Sequence, residues 1–455
     1  MLNIRKDVLR LTVPILMEQI FVMAMGAVNT IMSSNVGKQV VSAIGMVDSI
    51  NNIFIAFFSS LAVGGTVVVA QYTGKGDKRQ ANNSMKQALF SSLLVSFIIT
   101  LLIFIFRRPM INLLFGNAEK AVIDNALRYM EITLLTYPLI SIELVSNGIL
   151  RGIGDTKTPM KITIIMNIIN VVFSYIFIYG INISNVHFTI HTPPMGITGA
   201  AIGIALARTS GAVIVLMILV RGTGLLKLNK IRTFRFDKEL LKSIFGIGVP
   251  AGVESLMFNG GKLITQIYIV SMGTNALTAN TISGSIAGML NIPGNALCTA
   301  ATTMVGHSMG KGKDKKAEDD LSYIVKLSTI SLITLAVITA PFVGVLSTLY
   351  TRDPDIIKIC RNVLLSNALF MPVWSISFVL PSGLKGAGDA KYTMITAIIG
   401  MWVFRITLGY LLGIPLKLGL VGVWVGMYID WTVRGILYLI RFKKGKWKKN
   451  VVIRA

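Results

Sequence analysis

The sequence predicts an all-α polytopic membrane protein: twelve transmembrane helices in two six-helix lobes. Three observations carry that prediction: the apolarity of the whole chain, twelve separate runs of spanning length, and an internal duplication. The chain has 455 residues, 53% hydrophobic and 14% charged, with a mean hydropathy of +0.69. Soluble domains carry roughly 25% charged residues, and no single soluble core would hold so many apolar side chains. Two cysteines, Cys298 and Cys360, exclude a disulfide framework or a cysteine-rich metal site.

A helix needs about 20 mostly apolar residues to cross a bilayer. Polar punctuation leaves such runs at approximately 11–33, 48–70, 87–106, 129–150, 160–180, 198–220, 247–270, 281–304, 325–349, 362–384, 393–413 and 418–440. The opening MLNIRKDVLRLTVPILMEQIF has no small-residue cleavage site after its apolar run, so it reads as a retained first span rather than a signal peptide. The second run opens at Asp48, where helix capping is the plain reading. Basic Gly-Lys turns follow the second and eighth runs, and Gly-x-Gly-Asp turns ending in Asp155 and Asp389 follow the fourth and tenth. The runs are continuous rather than alternating, which excludes a transmembrane barrel.

Orientation follows from the basic residues. With the N-terminus inside, 31 of the 44 Lys and Arg fall in cytoplasmic segments, nine fall outside and four (Arg208, Lys262, Arg405, Arg434) lie within spans. That asymmetry places both termini in the cytoplasm of a cell-membrane protein. It also accounts for most of the net charge of +24 without a nucleic-acid partner.

The two halves repeat. Residues 13–81 lie on 249–317 at a constant offset of 236, which pairs Val13-Pro14 with Val249-Pro250, Glu18 with Glu254 and Gly74-Lys75-Gly76 with Gly310-Lys311-Gly312. Further on the offset is 234, pairing Pro138 with Pro372 and Gly154-Asp155 with Gly388-Asp389. Six helices per copy is an even number, so both copies insert with the same orientation, as in parallel-repeat transporters. The expected domains are residues 1–220, a cytoplasmic linker 221–246, and 247–455 with a basic tail. Rocking of one bundle against the other, with a cleft between them, predicts alternating access.

The loops exclude much else. The Gly-Lys turns at 74–79 and 310–316 lack the spacing of a phosphate-binding loop, and the linker is too short for a nucleotide-binding domain. The histidines His187, His191 and His307 form no metal-ligand spacing, and no nucleophile and base are paired. Neither enzymatic activity, a cofactor nor a resident metal is expected, so transport would draw on a gradient of Na⁺ or H⁺.

The stretch LRGIGDTKTPMKITIIMNIINVVFSY at 150–175, its partner LKGAGDAKYTMITAIIGMWVFR at 384–405 and the last helix GVWVGMYIDWTVRGILYLIRFKKGKW at 422–447 resemble the multidrug and toxic compound extrusion (MATE) transporters. The resemblance covers essentially the whole chain. It implies a V-shaped fold of two lobes and a monomeric antiporter exporting amphipathic, cationic organic compounds against Na⁺ or H⁺, with membrane lipid as its other partner. A lipid-linked oligosaccharide flippase of the same superfamily is the alternative. Many members carry an aspartate in the first helix within a stretch like V-D-T-I; here it reads Val28-Asn29-Thr30-Ile31. Acids that some members carry in helices seven and ten correspond to Phe258 and Trp374. The usual coupling carboxylates therefore do not transfer onto these positions.

The acids that remain within spans become the candidates, since an Asp at a bilayer centre costs about 2.5–3.5 kcal/mol on insertion scales. Glu18 and Asn29 are 11 residues apart, about 1100° of rotation and so on one helix face, separated by about 16 Å. Thr265 takes the place of Asn29 in the second half, and Glu254 that of Glu18. The expected substrate- and ion-binding residues are thus Glu18, Asn29, Glu143, Glu254 and Thr265. Asp155, Asp389, Pro14 and Pro250 are expected to act in gating or structure, the prolines by removing backbone hydrogen bonds. Asp430 and Arg434, four apart, are expected to pair. Lys262 and Arg405 need partners, for which Glu254 and Glu143 are available.

Overall fold

The computed structural model describes residues 2–34, 36–116, 118–185, 188–229 and 234–453. The first half runs α1 (Leu2–Ser34), α2 (Lys38–Lys75), α3 (Lys78–Phe115), α4 (Lys120–Leu135), α5 (Tyr137–Gly152), α6 (Lys157–Tyr179), strands β1 (Ile181–Asn185) and β2 (Phe188–Thr192), and α7 (Ile197–Arg221). The second half runs α8 (Lys238–Val270), α9 (Thr274–Leu290), α10 (Ile292–Gly310), α11 (Asp314–Thr339), α12 (Val343–Thr348), α13 (Pro354–Gly386), α14 (Ala390–Ile399), a π-helical stretch Gly400–Ile406, α15 (Thr407–Gly413) and α16 (Gly419–Lys443). The duplication reaches the element ends. α8 repeats α1 at an offset of 236, α13 repeats α4 with α5 at 234, and α16 repeats α7 at 222. The last shift arises because 180–196 carries the hairpin, whereas its counterpart 414–418 is a short turn.

Among the described residues, ten helices are long and apolar enough to cross a membrane, and α4 with α5, bent by 49°, make an eleventh. That bend falls at Thr136, where Pro138 stands in the first turn of α5 and cannot donate back. The eighth expected run falls on α9 and α10, which part at Asn291 ahead of Pro293. The first-half counterparts of Pro293-Gly294 are Phe57-Phe58, so α2 runs unbroken through the equivalent point. Gly294 has its own reason: a Cβ there would overlap the Trp374 ring. Large apolar side chains such as Phe97 on α3 and Val337 on α11 face outward, 59% and 67% exposed, as lipid-facing positions require.

The all-helical expectation needs one correction. β1 and β2 form an antiparallel hairpin that pairs Ile181 with Thr192 and Asn185 with Phe188. INISN and FTIHT alternate apolar and polar residues, which is strand rather than helix periodicity. His187 lies outside the described residues.

The chain forms two compact units. The N-terminal unit comprises Met17–Val69 and Lys78–Ile244; the C-terminal unit comprises Phe245–Ala455 with Met1–Leu16 and Ala70–Asp77. This division differs from the expected 1–220, 221–246 and 247–455 at two places. The start of α1 and the end of α2 group with the second half because Val8 and Leu11 pack in its core and Gln71 bonds Gly386 and Val452. The linker groups with the first half because it docks on α3: Lys227 N donates to Asn82 and Gln87 donates to the Arg235 carbonyl, each at 2.7 Å. Linker residues 230–233 lie outside the described residues.

Candidate functional site

Each unit holds a cavity between its helices. In the N-terminal unit the cavity measures about 610 Å³ and its polar lining includes Asn29 of α1, Asp48, Asn51 and Asn52 of α2, Asn167 and Asn170 of α6, and Arg208 of α7. Asp48 is not a cap. α2 begins ten residues earlier, at Lys38, so the side chain projects from the middle of a helical segment. It accepts from Asn51 at 3.4 Å and from the Tyr129 hydroxyl at 3.3 Å. Behind the wall the buried Tyr137 donates to Asn51 at 2.8 Å, its ring set edge-on to Phe58 at 5.7 Å. Arg208 donates to Thr136 Oγ1 at 2.8 Å. Among the described residues, Asp48 is the one acid lining either cavity.

Glu18 sits beneath this cavity rather than in it. Its carboxylate accepts from Arg151 at 2.5 Å and from Thr163 at 3.2 Å. Thr163, Asn167 and Asn170 follow one another on one face of α6, so Glu18 continues the polar stripe about one turn, ~6 Å, below the cavity wall. Glu143 is buried beside it, accepts from Asn147 and lies within electrostatic reach of Glu18 and Arg151. Enclosed polar atoms without a partner gather here: Glu18 Oε2, Ser146 Oγ and Asn147 Oδ1. Buried polar atoms are nearly always satisfied, so this cluster marks a place with unused hydrogen-bonding capacity.

The cavity of the C-terminal unit is of the same size, about 620 Å³, and different in chemistry. Thr265 lines it, as Asn29 lines the first, with its hydroxyl turned back to the Gly261 carbonyl at 2.9 Å. The wall carries amides too, from Gln266, Asn280, Asn291 and Asn367, but it adds Phe258, Trp374, Trp424 and Trp431 beside Lys262 and Arg405. Arg405 projects from the π-helical stretch, whose first-half counterpart is regular α-helix within α6. Such π segments recur at functional sites because they re-aim side chains.

Two expectations about partners are corrected here. Glu254 is engaged by Lys385 at 2.8 Å, and Glu143 by Asn147, so neither serves Lys262 or Arg405. Arg151 and Lys385 are themselves repeat-matched, so Glu18–Arg151 and Glu254–Lys385 are one ion pair built twice. Two repeat-matched acids facing two repeat-matched cations was a signal present in the sequence. It was missed because both cations fall one residue beyond the expected fourth and tenth spans, although they belong to the last turns of α5 and α13.

Asp430 and Arg434 pair as expected, at 2.7 Å. Asp155 caps α6, accepting from Thr158 N at 3.1 Å and Thr158 Oγ1 at 2.6 Å. Asp389 instead binds the end of the chain: Arg441 through two bonds of 2.8 and 3.1 Å, and Asn450 at 2.7 Å. Both follow a glycine at positive φ, Gly154 at 89° and Gly388 at 102°, where an L side chain would be strained. Pro14 and Pro250 lie inside α1 and α8, which continue through them.

The MatE family profile matches residues 14–176 and, a second time, residues 250–411. The chain belongs to the MatE family. The double match reflects the duplication, and the family's members are transporters, so the chain is a multi-pass membrane protein of a multidrug transporter family. It is similar to the uncharacterized transporter YisQ of Bacillus subtilis, 27% identical over 96% of this chain and 94% of that one. The probable multidrug resistance protein NorM of Thermotoga maritima is 26% identical over 99% and 95%. Among solved structures, a MOP superfamily transporter from Pyrococcus furiosus, described as having a binding pocket of reverse polarity that suggests a different function, superposes with a TM-score of 0.88. It is 23% identical and the match covers 97% of this chain and 95% of that one. Asn29 lines the N-terminal cavity, and Phe258 and Trp374 line the C-terminal cavity.

Proposed function

We propose that this MATE protein is a secondary active exporter that moves amphipathic organic compounds against an inward flow of H⁺ or Na⁺ by alternating access. The observation that carries this reading is a pair of repeat-related cavities of nearly equal volume, set among helices that are otherwise apolar. Polar groups inside spans are costly and persist where they bind something. The N-terminal cavity is the coupling site in this reading. Asp48 is its carboxylate, held by Tyr129 and Asn51, with the amide of Asn29 contributing oxygen. Glu18 and Glu143 form a deeper station on the same polar stripe. Cation binding at Asp48 removes its net charge, and only interactions that differ between the two access states shift their populations. The repeat-matched Glu254 and Thr265 belong to the substrate half. The basic count supports a cell-membrane location with both termini cytoplasmic.

The fold leaves substrate charge open, since the Pyrococcus transporter of that fold is described with a pocket of reverse polarity. A flippase for lipid-linked sugars is the second reading, favoured by the two cations of the C-terminal cavity, which could hold a diphosphate. The test is dye efflux from proteoliposomes under an imposed pH or Na⁺ gradient, with Asp48→Asn and Glu18→Gln beside the wild type. Driven efflux that Asp48→Asn abolishes is the expected result. Driven efflux untouched by Asp48→Asn but lost in Glu18→Gln moves coupling to the deeper station. No driven flux of any dye overturns the exporter reading in favour of the flippase.

A further inference from the structure

The C-terminal cavity contains a charge imbalance. Lys262 and Arg405 line it and no acid does. Both cations address one ring: Lys262 Nζ lies 4.8 Å and Arg405 Cζ 5.5 Å from the Phe258 centroid. The acid that acts most strongly on Arg405, Asp430, is already engaged by Arg434 at 2.7 and 2.9 Å. Among the described residues neither Lys262 nor Arg405 forms an ion pair, and Arg405 Nε is enclosed without a partner.

A ring face offers the half-buried Arg405 only part of what it loses on leaving water, and two like charges beside one ring repel each other. The missing component is an anion. The same field excludes cationic ligands, since specificity comes as much from repulsion as from attraction. The N-terminal cavity serves as an internal control. Its cation, Arg208, bonds Thr136 and faces Asp48, so its charge is matched within the cavity. The imbalance therefore belongs to this cavity and not to the fold.

The walls say what the anion carries. Trp374 and Phe378 stack at 4.7 Å with an interplanar angle of 19°, and Trp431 Nε1 is enclosed without an acceptor. Flat aromatic walls suit a flat aromatic body, and the indole N–H adds a third donor for an acid group. We propose that the C-terminal cavity binds an aromatic organic anion, its acid group held by Lys262 and Arg405 and its rings packed against Phe258 and Trp374. This names the substrate class for the exporter reading and rests on that reading for transport, though not for binding.

Fluorescein and rhodamine 123 share a tricyclic frame and carry opposite charge, so they isolate the charge term. Binding of each to the full-length protein in nanodiscs is followed by quenching of tryptophan fluorescence. The expected result is saturable binding of fluorescein, weakened about tenfold or more by Lys262→Gln and by Arg405→Gln, with Lys262→Arg retaining it. Lys262→Glu should invert the preference toward rhodamine 123. If Arg405→Gln fails to fold, Lys262 still carries the test, because its exposed side chain lines open space. Tighter binding of rhodamine 123 by the wild type, or fluorescein affinity indifferent to Lys262→Gln, overturns the proposal. Displacement of fluorescein by farnesyl diphosphate at lower concentration than by 1-naphthoate also overturns it, by assigning the cations to a diphosphate. If fluorescein binds as expected and no gradient moves it, the binding site stands and the exporter reading falls.

Discussion

The two halves of this transporter share their helices and differ in their cavities. Asn29 corresponds to Thr265 in the repeat, and the volumes are about 610 and 620 Å³. Both cavities carry amides, yet one sets them around Asp48 and the other adds aromatic rings around Lys262 and Arg405. Duplication preserved the container while the contents diverged. The proposed function makes this a division of labour, with the acid taking a small cation and the bases among rings an aromatic acid. The ion pairs did not diverge, because Glu18–Arg151 and Glu254–Lys385 remain as matched pairs.

The sharpest way to break this comparison is to neutralise one aspartate in each unit. Asp430 is fully buried and its partner Arg434 nearly so. Removing one partner of such a pair leaves a buried charge uncompensated, so Asp430→Asn should lose roughly 3–5 kcal/mol and fold poorly. Asp48 is half-buried, bonded to neutral groups and open to its cavity. Asp48→Asn should keep its unfolding temperature while driven flux falls about tenfold or more, a change of at least ~1.4 kcal/mol in that step. Thermal unfolding in detergent, read beside proteoliposome flux, separates the two. A folded, active Asp430→Asn would end the assignment of that pair as structural.

The spans and the duplication were legible because both are repetitive signals. Apolar runs survive averaging, and a register held from Val13 to Ala81 against Val249 to Ala317 needs no structure to be seen. The candidate site was legible only in part. Asn29 and Thr265 line the cavities because helix phase is readable from spacing. Asp48 was misread because its charge suggests the start of a span, whereas the largely apolar residues 40–47 before it continue the same helix back to Lys38. The π segment at Gly400–Ile406 left no trace in composition, since its residues are as apolar as those of a regular turn. Arg405 therefore gave no sign of which way it would aim.

The matched ion pairs offer a second, smaller contrast. The Glu18 side chain is 7% exposed beside Arg151, and Glu254 is 19% exposed beside Lys385. Glu18 also accepts from Thr163, so its pair is the more enclosed. A lysine is a flexible point charge, whereas arginine offers fixed, directional donors. Arg151→Met should therefore destabilise by about 3 kcal/mol, the low end for a broken buried pair, and Lys385→Met by less. Double-mutant cycles with Glu18→Gln and Glu254→Gln would measure both couplings. Equal couplings would mean that burial does not distinguish the halves at this level.

The smallest contrast lies in the turns. Asp155 and Asp389 occupy the same place after the same Gly-x-Gly, and sequence alone treats them alike. Asp155 spends its carboxylate on Thr158 of its own helix, the work of a cap, so Asp155→Ala should lower stability by about 1 kcal/mol. Asp389 is 3% exposed and binds Arg441 twice and Asn450 once, fixing α16 and the tail to the α13–α14 turn. Charge-assisted bonds contribute about 1.5–3 kcal/mol, so Asp389→Ala should cost about 2 kcal/mol. Asp389→Ala should also release the tail, which proteolysis after Lys443 or Lys444 would report as faster cleavage than in Asp155→Ala. Gly388 sharpens the point, because a Cβ there would overlap the Asn450 carbonyl. Gly388→Ala should free the same tail with Asp389 intact, whereas Gly154→Ala should leave tail cleavage unchanged. Equal cleavage in all four variants would mean that the tail is held elsewhere, and that the two turns do the same work after all.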